Sequence, residues 1–134
     1  MKRLKEYLHK YIQDPLDPYI NAKLGQEYEN IGQGAAALSY FLRASELTHD
    51  SDPELAYNGI LKTWLQLNKT TRRKNYEKGQ LEMAISYLPT RPEAYLFLSK
   101  WYSDKEEWKT SNLYADLGLQ YLNQEPLKYD VGYL

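Results

Sequence analysis

Cysteine is absent from this 134-residue chain, which excludes disulfide frameworks, thiolate nucleophiles and cysteine-held zinc. Neither charge is in excess: 17 basic residues face 18 acidic ones, for a net charge of −1. The chain therefore lacks the basic surplus by which general polyanion binders hold phosphate, and no nucleic-acid partner is expected. No apolar run approaches the roughly 20 residues of a membrane-spanning helix, so no membrane partner is expected either. The basic start Met1-Lys2-Arg3 leads into no apolar segment of the kind a secretory signal carries, and a cytoplasmic location is the expectation. Phenylalanine is scarce, with two copies against fourteen tyrosines. The length suits one domain, here 1–134, and suffices for a core without staples.

What the chain does have is a repeat, the feature that most constrains a fold. Pro18, Pro53, Pro92 and Pro126 recur at gaps of 35, 39 and 34 residues. Each opens a similar phrase, and proline suits the first turn of a helix because its missing N–H has no partner there to lose. Ser51 and Thr90 stand three residues before Glu54 and Glu93, the capping-box spacing. Behind each proline the apolar residues fall at helical period: Ile20, Leu24, Tyr28 and Ile31; then Tyr57, Ile60, Leu61 and Trp64; then Tyr95, Leu98 and Tyr102. Polar breaks are expected at 30–34, 68–71 and 103–106, each followed by a second helical stretch. A leader helix over 2–13, ended by Pro15, carries Leu4, Tyr7, Leu8, Tyr11 and Ile12. The expectation is all-α: a leader and three helix pairs over about 18–50, 53–89 and 92–123, with a tail at 124–134.

The first copy carries Leu24-Gly25, Tyr28, Gly32, Ala37, Phe41 and Ala44. In these positions the chain resembles the tetratricopeptide (TPR) repeat, a helix pair of about 34 residues with small and large side chains at fixed places. Gly25 and Ala37 let two backbones approach, and Tyr28 and Phe41 fill the space beside them. The third copy matches with Tyr95, Leu98, Tyr102, Trp108, Ser111 and Gly118, but has Ser99 for the glycine. The second has Leu61 where the small residue belongs, and extra residues between Thr70 and Tyr76. The resemblance covers about 17–123 and implies a TPR-like α-solenoid. The stretch 91–133 further resembles TPR segments attached to bacterial and phage glycosyltransferases, which implies an accessory, substrate-orienting module.

Catalytic and metal chemistry find little support. His49 with Asp50 and Asp52 is a solvated loop cluster more often than a metal site. Gly32-Gln33-Gly34 lacks the strand, third glycine and lysine of a phosphate loop and reads as a turn. Arg72-Arg73-Lys74 is a small cationic footprint, and Glu27 with Glu29 reads as a solvated carboxylate pair. No nucleophile constellation is present, so neither enzyme activity nor a cofactor is expected.

The remaining candidate is a surface. The resemblance implies that the first helices of the pairs line a concave groove for a protein or peptide. By position its residues are Tyr19, Lys23, Gln26 and Asn30; Asn58, Lys62 and Gln66; and Glu93, Phe97, Lys100 and Ser103. Side-chain amides can hydrogen-bond a peptide in both directions. Lys62 and Lys100 are equivalent and would form a basic stripe. The Lys and Asn that the family's carboxylate clamp needs in the first copy are replaced by Ala22 and Gln26. A homodimer through the terminal helices, using Tyr114 and Tyr121, is the other expectation for the tyrosine-rich ends.

Overall fold

A computed structural model of the chain describes residues 2–70 and 77–123. Those residues form α1 (Lys2–Gln13), α2 (Pro18–Asn30), α3 (Gly34–Thr48), α4 (Pro53–Thr70), α5 (Glu77–Tyr87), α6 (Pro92–Asp104) and α7 (Trp108–Gln120), with no strand among them. Helices α2, α4 and α6 begin on three of the four spaced prolines, and Pro126 lies outside the described residues. Asp17 caps α2, its Oδ1 accepting from the N–H groups of Tyr19 and Ile20 at 2.9 and 3.2 Å. The residue that caps α4 is Asp52, which accepts from Leu55 N–H at 3.3 Å, and not Ser51 as the capping-box spacing suggests. The N-cap of α6 is Arg91, whose side chain makes no cap bond. Within the polar break expected at 68–71, α4 continues through Asn68 to Thr70. The basic run at 72–74 and the tail at 124–134 lie outside the described residues.

Each helix packs on the next one in the chain, α1 on α2 through to α6 on α7. The architecture is thus all-α: a TPR-like solenoid of three successive pairs led by α1. The first helices of the pairs also lie side by side in parallel. Tyr19 donates its hydroxyl proton to Asp52 Oδ2 at 2.9 Å, and Lys62 Nζ donates to Glu29 Oε1 at 3.1 Å. Both links span 33 residues. A constant offset at two places along α2 and α4 means that the two helices share direction and register. From α4 to α6 the Tyr57 hydroxyl donates to Glu93 Oε1 at 3.1 Å, and the rings of Trp64 and Phe97 stack with centroids 4.5 Å apart.

Helix α4 is the middle of the array and its main core element. Tyr57, Ile60, Leu61 and Trp64 bury with Leu81 and Ala84 of α5 and with Ala94, Leu98 and Tyr102 of α6. In the first pair, Leu24, Ala37, Phe41 and Ala44 are buried. Tyr28 stacks on Tyr40 at 5.4 Å, and Tyr11 meets Tyr40 edge-on at 5.6 Å, which ties α1 to the pair. Gly32 ends α2 in the left-handed region, at φ 78°, a turn that glycine adopts without a Cβ penalty. The third pair replaces the small residues at its crossing by serines. Ser99 and Ser111 each donate to the other's backbone oxygen, at 2.8 and 2.7 Å, so the hydroxyls are satisfied where two helices press together. No described helix is long and apolar enough to cross a membrane.

Candidate functional site

The face shared by α2, α4 and α6 carries a cleft of about 670 Å³ at its N-terminal end. Helix α2 contributes Tyr19, Ala22, Lys23, Gln26, Glu27 and Asn30; α4 contributes Leu55 and Asn58; α3 contributes Phe41; and α1 contributes Arg3 and Tyr7. Five of the eleven residues named from sequence therefore come together here: Tyr19, Lys23, Gln26, Asn30 and Asn58. Lys23 and Asn30 are exposed, Gln26 is half-buried and donates to Asn30 Oδ1 at 3.3 Å, and Tyr19 is held by Asp52. Asn58 lies at the bottom, 4% exposed, and its Oδ1 has no hydrogen-bond partner among the described residues.

The other six lie elsewhere. Lys62 does not form a basic stripe with Lys100. Its side chain is 3% exposed, paired with Glu29 and placed 5.8 Å over the Phe41 ring, whereas Lys100 is exposed on α6. Gln66 is buried and donates to Glu29 Oε2 at 2.5 Å. Glu93 is buried too, bridging Arg91, at 2.5 Å from Nη2, and the Tyr57 hydroxyl. Phe97 stacks on Trp64, and Ser103 is half-buried near the end of α6. Glu29, read from sequence as solvated, is the acceptor that holds two α4 side chains. Arg3 and Tyr7 were missed because a leader helix has no counterpart in the repeat pattern.

These pairs fix the helices relative to one another, and their energetics are asymmetric. Glu29 is partly exposed, at 17%, and can regain water if Lys62 is removed; Lys62 at 3% cannot if Glu29 is removed. Glu29→Ala is thus expected to destabilise by about 2 kcal/mol, Lys62→Leu by less than half of that, and the double variant by no more than Glu29→Ala alone, as read from urea unfolding.

The Tyr57–Glu93 contact has a pH signature. Burial, then the nearby Glu93 carboxylate, raises the Tyr57 pKa far above its usual 10.0. The folded state holds this proton more tightly than the unfolded one does, so the associated stability is full below pH 10 and drains as pH rises beyond it. The hydroxyl also accepts from Ala94 N–H at 3.0 Å. Tyr57→Phe is expected to lose about 1–2 kcal/mol at neutral pH. It should also show a shallower fall in stability above pH 10 than the parent chain. Equal slopes in alkaline urea titrations would refute this assignment.

Among the described residues no group of three or more His, Asp or Glu side chains could hold a metal ion. His49 instead meets Asp50 Oδ2 at 3.2 Å and the Glu46 carbonyl at 3.2 Å, on an exposed turn. The turn at 31–33 joins α2 to α3, and Gly34 is already the first residue of α3.

No protein-family model matches the chain, and no curated protein matches it. Among solved structures it is similar to the crystal structure of MamA, at 16% identity over 89% of this chain and 86% of that one, with a TM-score of 0.45.

Proposed function

We propose that this chain is a non-catalytic protein-interaction module that holds a peptide or a neighbouring domain on the α2–α4–α6 face. The observation that carries the reading is the cleft along α2, walled by α1 and α4. Its helices are braced by interhelical polar links, Tyr19 to Asp52 and Lys62 to Glu29, so it is present before any partner arrives. A preformed groove avoids the ordering entropy that a loop-built surface loses on binding. A role beside a sugar-transferring enzyme is a narrower form of the same reading and rests on the resemblance over 91–133. A homodimer through Tyr114 and Tyr121 has less support, because both rings stack within the chain on Tyr95, at 6.4 and 5.9 Å.

The test is cross-linking and affinity capture with two bulky variants. Gln26→Trp fills the cleft, and Asn112→Trp adds the same bulk on exposed α7. A partner held by the parent chain and by Asn112→Trp but released by Gln26→Trp is the expected result. Retention by Gln26→Trp, with the variant folded by circular dichroism, would sink the assignment of the face.

A further inference from the structure

We infer that α7 pairs with α7 of a second copy of this chain, antiparallel about a two-fold axis at Ala115, through the stripe of Trp108, Ala115, Leu119 and Leu122. This contact lies at the opposite end of the array from the cleft. It goes beyond the interaction reading and does not rest on it.

The first ground is missing cover. Five of the ten large hydrophobic residues exposed among the described residues lie on α7 or just past its end: Trp108, Leu113, Leu117, Leu119 and Leu122. Apolar surface gathered in one place marks a contact. Position in the repeat shows which side of α7 lacks its neighbour. Counted from Pro18 and Pro92, Leu119 stands where Ser45 stands, and Leu122 where Thr48 stands. Ser45 and Thr48 are 0% and 1% exposed, because α4 lies on that side of α3, with Gly59 against Ser45. Leu119 and Leu122 are 60% and 51% exposed. The end of a stacked array normally turns a polar side outward, and here the side that continues the stack is apolar.

The second ground is shape, which selects the occupant. On α3 this side holds Gly34, Phe41, Ser45 and Thr48, and α4 fits it with a glycine over the serine. On α7 the same places hold Trp108, Ala115, Leu119 and Leu122, so bulk and hollow are exchanged. A helix shaped like α4 would meet leucine where it needs serine. A second α7 fits instead. Residues 108, 115 and 122 are spaced by seven, the heptad spacing of paired helices. The Leu122 N–H bonds the Leu119 carbonyl at 3.3 Å, so the last turn carries the spacing past the end of α7. The three residues are therefore symmetric about Ala115. A half-turn about that residue brings Trp108 to the level of Leu122 of the partner copy, and the small Ala115 at the axis lets the helices close.

The third ground is that pairing strands no charge. Lys109 and Asp116 are exposed and, at about 100° per residue, lie beside the stripe and not in it, so both keep their water. Tyr114 and Tyr121 stay turned into the chain, stacked on Tyr95, so this is a different surface from a dimer through the tyrosines. Leu96 of α6, half-buried against Gly118, widens the apolar surface from the neighbouring helix. One pair of helices makes a small interface, so the dimer is a weak one, with a dissociation constant on the order of ten micromolar.

The test is sedimentation velocity of the full chain over a range reaching about 100 μM, with cysteine cross-linking to read direction. The parent chain is expected to pass from monomer to dimer across this range. Leu119→Glu with Leu122→Glu should weaken the dimer at least about a hundredfold while leaving the urea midpoint of the monomer unchanged, because both side chains are exposed in the single chain. The chain has no cysteine of its own, so introduced ones report unambiguously. A short bis-maleimide should link Ala115→Cys to itself. It should link Trp108→Cys to Leu122→Cys in a mixture, and neither of those to itself. Asn112 lies at the edge of the stripe, so Asn112→Trp should weaken the dimer while leaving the cleft open, and Gln26→Trp should leave the dimer unchanged. The two readings therefore fail separately. A chain that stays monomeric throughout overturns the inference; if the two glutamates also lower its stability, the face is covered from within the chain, by residues 124–134. A dimer that survives both glutamates, or that cross-links Trp108→Cys to itself, overturns it as well.

Discussion

Replacing Glu93 by alanine is expected to lower the unfolding free energy by about 3–5 kcal/mol. The carboxylate is 1% exposed and receives Arg91 through two nitrogens and Tyr57 through its hydroxyl. Removing it leaves a guanidinium whose side chain is 11% exposed and a buried phenol without its acceptor. The large figure is therefore the cost of leaving the phenol without its acceptor and a largely buried cation without this carboxylate, and not the worth of the contact. Two further variants separate those meanings. Glu93→Gln keeps an acceptor for Tyr57 and loses only the charge, so its loss should be smaller, about 1–2 kcal/mol. Glu93→Leu with Arg91→Met removes both charges and fills the space, and should recover much of the loss. Thermal melts would show the alanine variant lower by about 10–20 °C for a domain of this size. A shift below about 3 °C would mean that Glu93 is solvated in the native state, contrary to its burial.

The same network shows what the sequence made legible and what it did not. Helix starts were legible because proline fixes φ and recurs: Pro18, Pro53 and Pro92 each open a helix. The first pair was legible because Gly25, Ala37 and Phe41 are a packing solution written as small and large residues at set spacing. Phe41 lies against Gly25, where a Cβ would come within 2.6 Å of its ring. The polar residues of α4 were not legible. Asn58, Lys62, Thr63 and Gln66 follow the helical period of a solvated stripe, and a single amphipathic helix would turn them outward. In the array α4 is covered from both sides, and every residue from 55 to 64 is buried. Whether a polar stripe faces water or a neighbour depends on inter-repeat register, here the 33-residue links from α2, and no window of one helix contains that information. The cleft was half legible for the same reason. Its α2 wall follows from the repeat, while Arg3 and Tyr7 come from a helix outside the pattern.

Gly59 is a second residue that only the packing reveals, and its replacement should carry the next largest penalty. The repeat pattern asks for a small residue at position 61 and finds leucine there. The close approach in the second copy is instead at Gly59, against the helix before it. A Cβ on Gly59 would lie 2.7 Å from the Phe41 carbonyl oxygen, 3.0 Å from Ser45 Cβ and 3.2 Å from Ser45 N. Two of the three atoms are backbone of α3, so no side-chain rotation relieves the clash and the helices must part. Helix α3 has little room to retreat, because the Phe41 ring is already against Gly25 on α2. In a free helix Gly→Ala stabilises by about 1 kcal/mol, so the sign of the measured effect decides which force wins. Gly59→Ala is expected to destabilise by about 1–2 kcal/mol net, and Gly59→Val, with two more carbons and a stiff χ1, by about 3 kcal/mol. Gly79 supplies the internal comparison: it lies in α5 with nothing within 4 Å of an added Cβ, and Gly79→Ala should stabilise by about 0.5–1 kcal/mol. Urea unfolding of the three variants should thus give opposite signs for the same chemical change. If both alanine variants gain stability, α3 and α4 are not pressed together at this crossing, and the bracing of Phe41 between two glycines falls with it.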